Sequence, residues 1–192
     1  GTAVAQVIKG GSGNDTLSTG GRGAATTNGD VLTGGAGNDT FIFAAADSTA
    51  ALPNATVGGA FTAAQKALFT SITDLNLGGA TAATAVDHVD LATVLTFSTA
   101  GGVAIVNGGA ATALVGTTFG GAINTLVAAG GVLNTAGASG AAASAGLFTW
   151  GGETFLVVNE AGTAATGYTT NDTIVILVTG VSGTLDANDF IV

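Results

Sequence analysis

The chain has 192 residues, enough to bury a core of its own, and 47% of them are hydrophobic, which excludes a disordered tail. Only Lys9, Arg22 and Lys66 are basic against twelve Asp and Glu, giving a net charge of −9 and a pI near 4.1. That balance excludes nucleic acid and anionic membrane surfaces as partners, since both need clustered cations, and it suits a host for metal cations. Cysteine is absent, so neither disulfides nor thiolate metal sites hold the fold.

The first 43 residues are organised by a nonapeptide, Gly-Gly-x-Gly-x-Asp-x-apolar-x. Gly10-Gly11-Ser12-Gly13-Asn14-Asp15-Thr16-Leu17 fits it, and so does Gly34-Gly35-Ala36-Gly37-Asn38-Asp39-Thr40-Phe41. Asp30-Val31-Leu32-Thr33 repeats the last four positions in phase, with Asn28-Gly29 in place of the glycine turn. The step from Asp15 to Asp30 is fifteen residues, so residues 19–24 read as an insertion, or Gly20 to Ala25 as a decayed turn.

Beyond Phe43 the texture changes to Ala, Thr and Gly. Phe61, Ala64, Leu68 and Ile72 follow helical spacing, and Thr62-Ala63-Ala64-Gln65 matches a capping box, so a helix is expected over 62–72. Val103–Val106 reads as a strand. Ile123, Leu126 and Val127, closed by Gly130, predict a second, shorter helix. Residues 147–150 and 154–158 around Gly151-Gly152 read as a hairpin, and 173–179 as a further strand. The run Ile174-Val175-Ile176-Leu177-Val178 is of strand length and too short to span a membrane. From Leu91 to Gly152 no ionisable side chain occurs, so either Thr, Ser, Asn and Gly supply the solvent face or part of this surface packs on neighbours.

The chemistry expected of the nonapeptide is hard-cation binding. Glycines at Gly11, Gly13, Gly35 and Gly37 allow backbone turns that aim carbonyl oxygens inward, and Asp15, Asp30 and Asp39 add anionic oxygens, a set that suits calcium. Softer metals would want imidazole or thiolate, and the chain has one His and no Cys. The apolar eighth positions, Leu17, Leu32 and Phe41, are expected to open short strands facing the core. Signatures of an enzyme are missing: there is no His-Glu-x-x-His, no Gly-x-Ser-x-Gly and no cysteine nucleophile, and His88 stands alone. Asp186 and Asp189 read as turn residues, and Trp150 and Tyr168 as core aromatics.

The repeats resemble those of the RTX family of type I secreted proteins. That resemblance implies a calcium-binding parallel β-roll over residues 1–45, followed by a β-rich domain over 46–192 with one or two short helices. Ile72-Thr73-Asp74-Leu75 and Asp87-His88-Val89-Asp90-Leu91 look like the family's segments after the repeats, so Asp87 and Asp90 are further candidate calcium ligands. Asp189-Phe190-Ile191-Val192 has the form of an uncleaved C-terminal export signal. Residues 150–159, 171–175 and 177–181 are similar to the C-terminal domain of Caulobacter-type S-layer proteins. The expectation is therefore a non-enzymatic, calcium-dependent structural protein at the extracellular cell surface. Its expected partners are copies of itself, a type I exporter and surface polysaccharide. The alternatives are the export and folding module of a secreted protease or lipase, or of an adhesin.

Overall fold

The computed structural model describes residues 5–20, 28–43, 52, 59–78, 86–91, 103–106, 109–134, 143–160 and 173–191. Tyr168 and the N-terminal part of residues 171–175 lie outside them. Of the described residues 43% are strand and 14% helical, so the chain is mostly β, with parallel sheets. In chain order the elements are β1 (Val7–Ser12), β2 (Thr16–Ser18), β3 (Val31–Ala36), β4 (Thr40–Ile42), α1 (Ala63–Lys66), β5 (Ser71–Ile72), β6 (His88–Asp90) and β7 (Val103–Ile105). They continue with β8 (Thr112–Ala113), α2 (Phe119–Val127), β9 (Ala143–Trp150), β10 (Glu153–Glu160), β11 (Thr173–Val178), a 3-10 turn (Ala187–Asp189) and β12 (Phe190–Ile191). No helix among the described residues is long and apolar enough to cross a membrane.

The nonapeptides build strand, turn, strand units that stack in register. Val7 pairs with Val31 and Leu17 with Phe41, so the first two rungs are related by one shift of 24 residues in both sheets. A third rung is supplied by β5 and β6, through Leu32↔Ile72 and Phe41↔Val89. The fourth comes from much later in the chain, where Ile72 pairs with Val178 and Val89 with Phe190. One sheet thus runs β2-β4-β6-β12, parallel throughout; the other runs β1-β3-β5-β11 and then turns antiparallel through β10 and β9. Strands from both sides of residue 45 share each sheet.

Core position follows from strand alternation. Leu17, Phe41, Val89 and Phe190 of one sheet meet Leu32, Ile72, Ile174, Ile176 and Val178 of the other in a shared core. The opposite faces of β10 and β11 are also apolar, and Phe155, Val157, Val175 and Leu177 bury themselves against Phe61, Phe69, Phe119 and Ile123. A strand covered on both faces needs the unbroken apolar run seen at 174–178. The larger sheet therefore separates two cores, with α2 over the outer one.

Gly151 and Gly152 have φ of +59° and +85°, the conformation a two-residue hairpin turn demands, and β9 and β10 pair in the expected register. α2 starts at its N-cap Thr118 and covers the expected Ile123 to Val127. The helix expected over 62–72 is shorter. Its capping box forms as read, with Thr62 Oγ1 accepting from Gln65 N and Gln65 Oε1 from Thr62 N, but it ends at Lys66, and Ile72 belongs to β5. Ile72 is drawn into strand geometry by pairing with Leu32 on one side and Val178 on the other, which helical spacing alone does not reveal.

Candidate cation site in the stacked glycine turns

Residues 10–15 join β1 to β2, and residues 34–39 join β3 to β4 directly beneath them. Gly11, Gly13, Gly35 and Gly37 have φ of +117°, +112°, +108° and +138°, values that L side chains rarely adopt. A Cβ on Gly35 would run into the carbonyl oxygen of Gly11, and one on Gly37 into that of Gly13, so the second turn tolerates no side chain under the first. At Gly11 and Gly13 a Cβ would meet nothing.

Asp15, Asp39 and Asp87 stand at equivalent positions of rungs one, two and three, each preceding a paired strand. A backbone ladder connects them, with Thr40 N donating to Asp15 O and His88 N to Asp39 O. The carboxylates add a second ladder. Asp15 N donates to Asp39 Oδ1 at 2.9 Å, and Asp39 N to Asp87 Oδ1 at 2.9 Å. Asp39 is 1% exposed, and its Oδ2, like Oδ2 of Asp15, is buried with no hydrogen-bond partner among the described residues. Both orphaned oxygens lie against glycine: a Cβ on Gly10 would sit 2.6 Å from Asp15 Oδ2, and one on Gly34 would run into Asp39 Oδ2.

The other expected ligands are differently placed. Asp30 is on the opposite side of the stack, where it accepts from Gln6 N at Oδ1 (2.8 Å) and from Gly20 N at Oδ2 (3.3 Å). Asp87 also uses both oxygens, the second accepting from Asn76 N at 2.8 Å. Burial pushes the Asp87 carboxyl up, and the nearby Asp39 and Asp74 charges add to this against the pull of the two amides. Asp90 is half-buried in β6, its backbone carbonyl accepting from Phe43 N. Asp74, which the sequence marks only as part of a strand motif, spans the second turn from below, Oδ1 accepting from Gly34 N (3.0 Å) and Oδ2 from Gly35 N (2.8 Å). Its role depends on a contact 40 residues away along the chain, which local sequence does not signal.

His88 is half-buried on β6, and Trp150 is buried beside Phe119. Asp186 and Asp189 form the expected turn as a reciprocal cap: Asp186 accepts from Asn188 N, and Asp189 Oδ2 accepts from Asp186 N at 2.6 Å. Burial pushes Asp189 up to about 6, with Asp186 and Asp87 adding to the rise and the Asp186 amide opposing it.

Among the described residues no three His, Cys, Asp or Glu side chains converge on one point. A cation here would need backbone oxygens as well as carboxylates, which is the coordination calcium accepts. One observation fits a cation to the glycine turns, the orphaned buried oxygens of Asp15 and Asp39. An unpaired buried carboxylate oxygen is expensive, and a hard cation removes that cost. Comparison with known proteins returns no matching protein-family model, no matching curated relative and no matching solved structure.

Proposed function

We propose that this protein is a calcium-binding structural component of the bacterial cell surface, a β-roll that assembles with copies of itself after export by a type I system. The observation that carries the reading is the pair of stacked glycine turns, each with a buried carboxylate oxygen that has no donor among the described residues. Asp15 and Asp39 supply the anionic oxygens, and Gly11, Gly13, Gly35 and Gly37 keep side chains out of the way. Calcium supplies the positive charge that lets an acidic chain pack its turns closely. What binds the folded state alone stabilises it, so binding energy becomes folding energy.

A structural role agrees with a chain in which the signature residues of hydrolases are missing. Self-association agrees with β1 and β2 being edge strands at the same end of two sheets, with Val7 69% exposed on one of them. In this reading the strand ending at Ile191 belongs to the segment that the exporter reads.

Electron microscopy and light scattering of the full chain, in calcium and then in chelator, test the assembly. The expected result is ordered sheets or filaments that dissolve on chelation. A particle that stays monomeric in both solutions contradicts the assembly reading.

A further inference from the structure

The aspartates that stitch the rungs together are of two chemical kinds. Asp30, Asp74 and Asp87 each place one oxygen on one backbone amide and the other on a second, so all six oxygens have a donor supplied by the chain. Among the described residues Asp39 has a donor on Oδ1 only, and the equivalent Oδ2 of Asp15 has none. The first kind is a clip that joins segments 10 to 48 residues apart without any cation. The second leaves buried negative charge uncompensated.

Packing is loosest at the first rung and tightest in the larger sheet. β1 is exposed at five of its six residues, with Ile8 half-buried, and in β2 only Leu17 is buried. In the third and fourth rungs β5 is buried at both positions, while β6 and β12 bury Val89 and Phe190 and leave Ile191 exposed. β11 is buried at all six positions, and the core beneath α2 contains no residue of either glycine turn. Segments with few buried apolar contacts open at low free energy, whereas a doubly covered sheet opens only with the whole fold.

We propose that cation dependence is confined to the first two rungs, through Asp15 and Asp39, while Asp30, Asp74 and Asp87 are cation-independent positioning residues that fix where the dependent turns sit. The inference rests on the calcium reading above and sharpens it: the third and fourth rungs and β9–β11 form a folded base before metal arrives, and calcium orders the outer rungs on it. Asp74 is the junction, because its carboxylate, just after β5 of the third rung, holds the amides of Gly34 and Gly35 and so pre-forms the second glycine turn.

Hydrogen exchange of the full chain in calcium and in chelator, with calcium calorimetry on the same samples, tests this. In chelator, amides of β9, β10 and β11 keep their protection, and those of 7–18 and 31–42 exchange at least about a hundredfold faster than in calcium. Asp39→Asn abolishes the calcium-dependent difference while the base stays protected. Asp87→Asn lowers protection generally but leaves the calcium-dependent difference in the first two rungs. Loss of protection throughout the chain in chelator, or loss of the calcium response in Asp87→Asn with its base still protected, overturns the proposal. Saturable calcium heat with no change in exchange at 7–18 and 31–42 overturns it while leaving the calcium reading standing. Absence of calcium heat in the unmodified chain removes both.

Discussion

At the residue scale, equivalent glycines of the two turns differ in tolerance although the motif repeats. Gly35→Ala combines a φ of +108° with collision against the Gly11 carbonyl, whereas Gly11→Ala meets only the φ of +117° in open space. The backbone strain is worth about 1–3 kcal/mol at either position, and the collision adds to it at Gly35 alone. Chemical denaturation should therefore find Gly35→Ala the less stable variant; equal losses would mean that the two turns are not stacked as described. The glycines and Asp39 were legible from the motif. The clips were not, because what Asp30, Asp74 and Asp87 accept from is decided by register between rungs and not by neighbours in sequence.

Asp189 offers a second test at the same scale. Its carboxyl titrates near 6 in the folded protein against an ordinary 3.8, so the folded state holds the proton more tightly than the unfolded chain. The resulting stability is fully present below about pH 4 and is lost as pH rises through about 6, amounting to about 3 kcal/mol at most. Asp189→Asn removes the buried charge, so its stability relative to the unmodified chain should grow between pH 4 and pH 7 when followed by urea unfolding in chelator. A difference that does not vary with pH would contradict the burial of a titrating carboxylate there.

At the scale of elements, the outer core is held by a ring cluster on three different segments. Phe119 of α2 lies 4.7 Å from Phe155 of β10 and 5.1 Å from Phe61, centroid to centroid, and tilted or edge-on contacts of this kind add to simple burial. Phe119→Ala should cost about 3–5 kcal/mol, and Phe155→Ala a similar amount. Because the rings touch, the double variant should lose less than the sum of the two losses, and strict additivity in thermal unfolding would mean that α2 does not pack there. The hairpin and α2 were readable because their signals are local: two glycines between apolar runs, and a helical period closed by Gly130. β5 was readable only through the resemblance of Ile72-Thr73-Asp74-Leu75 to a family strand, since its two residues gain strand geometry from partners at Leu32 and Val178.

For the whole molecule, the sequence implied a mostly β chain with parallel strands at its start, and the structure has that. It did not imply that the last twenty residues return to the third rung, where Asn76 bridges to Ser182 and Val89 pairs with Phe190. Contacts a hundred residues apart leave no periodic trace. This closure places the fourth rung, with β12 at the edge of its sheet, at one end of the stack and the exposed first rung at the other, the end to which calcium and self-association are assigned. Calorimetric titration of calcium into the chelator-stripped full chain, beside Asp39→Asn, tests that assignment most directly. Saturable heat in the unmodified chain is expected, with about 2.7 kcal/mol of added stability at a hundred times Kd, and neither in the variant. No saturable heat up to millimolar calcium, or equal binding by Asp39→Asn, would contradict it.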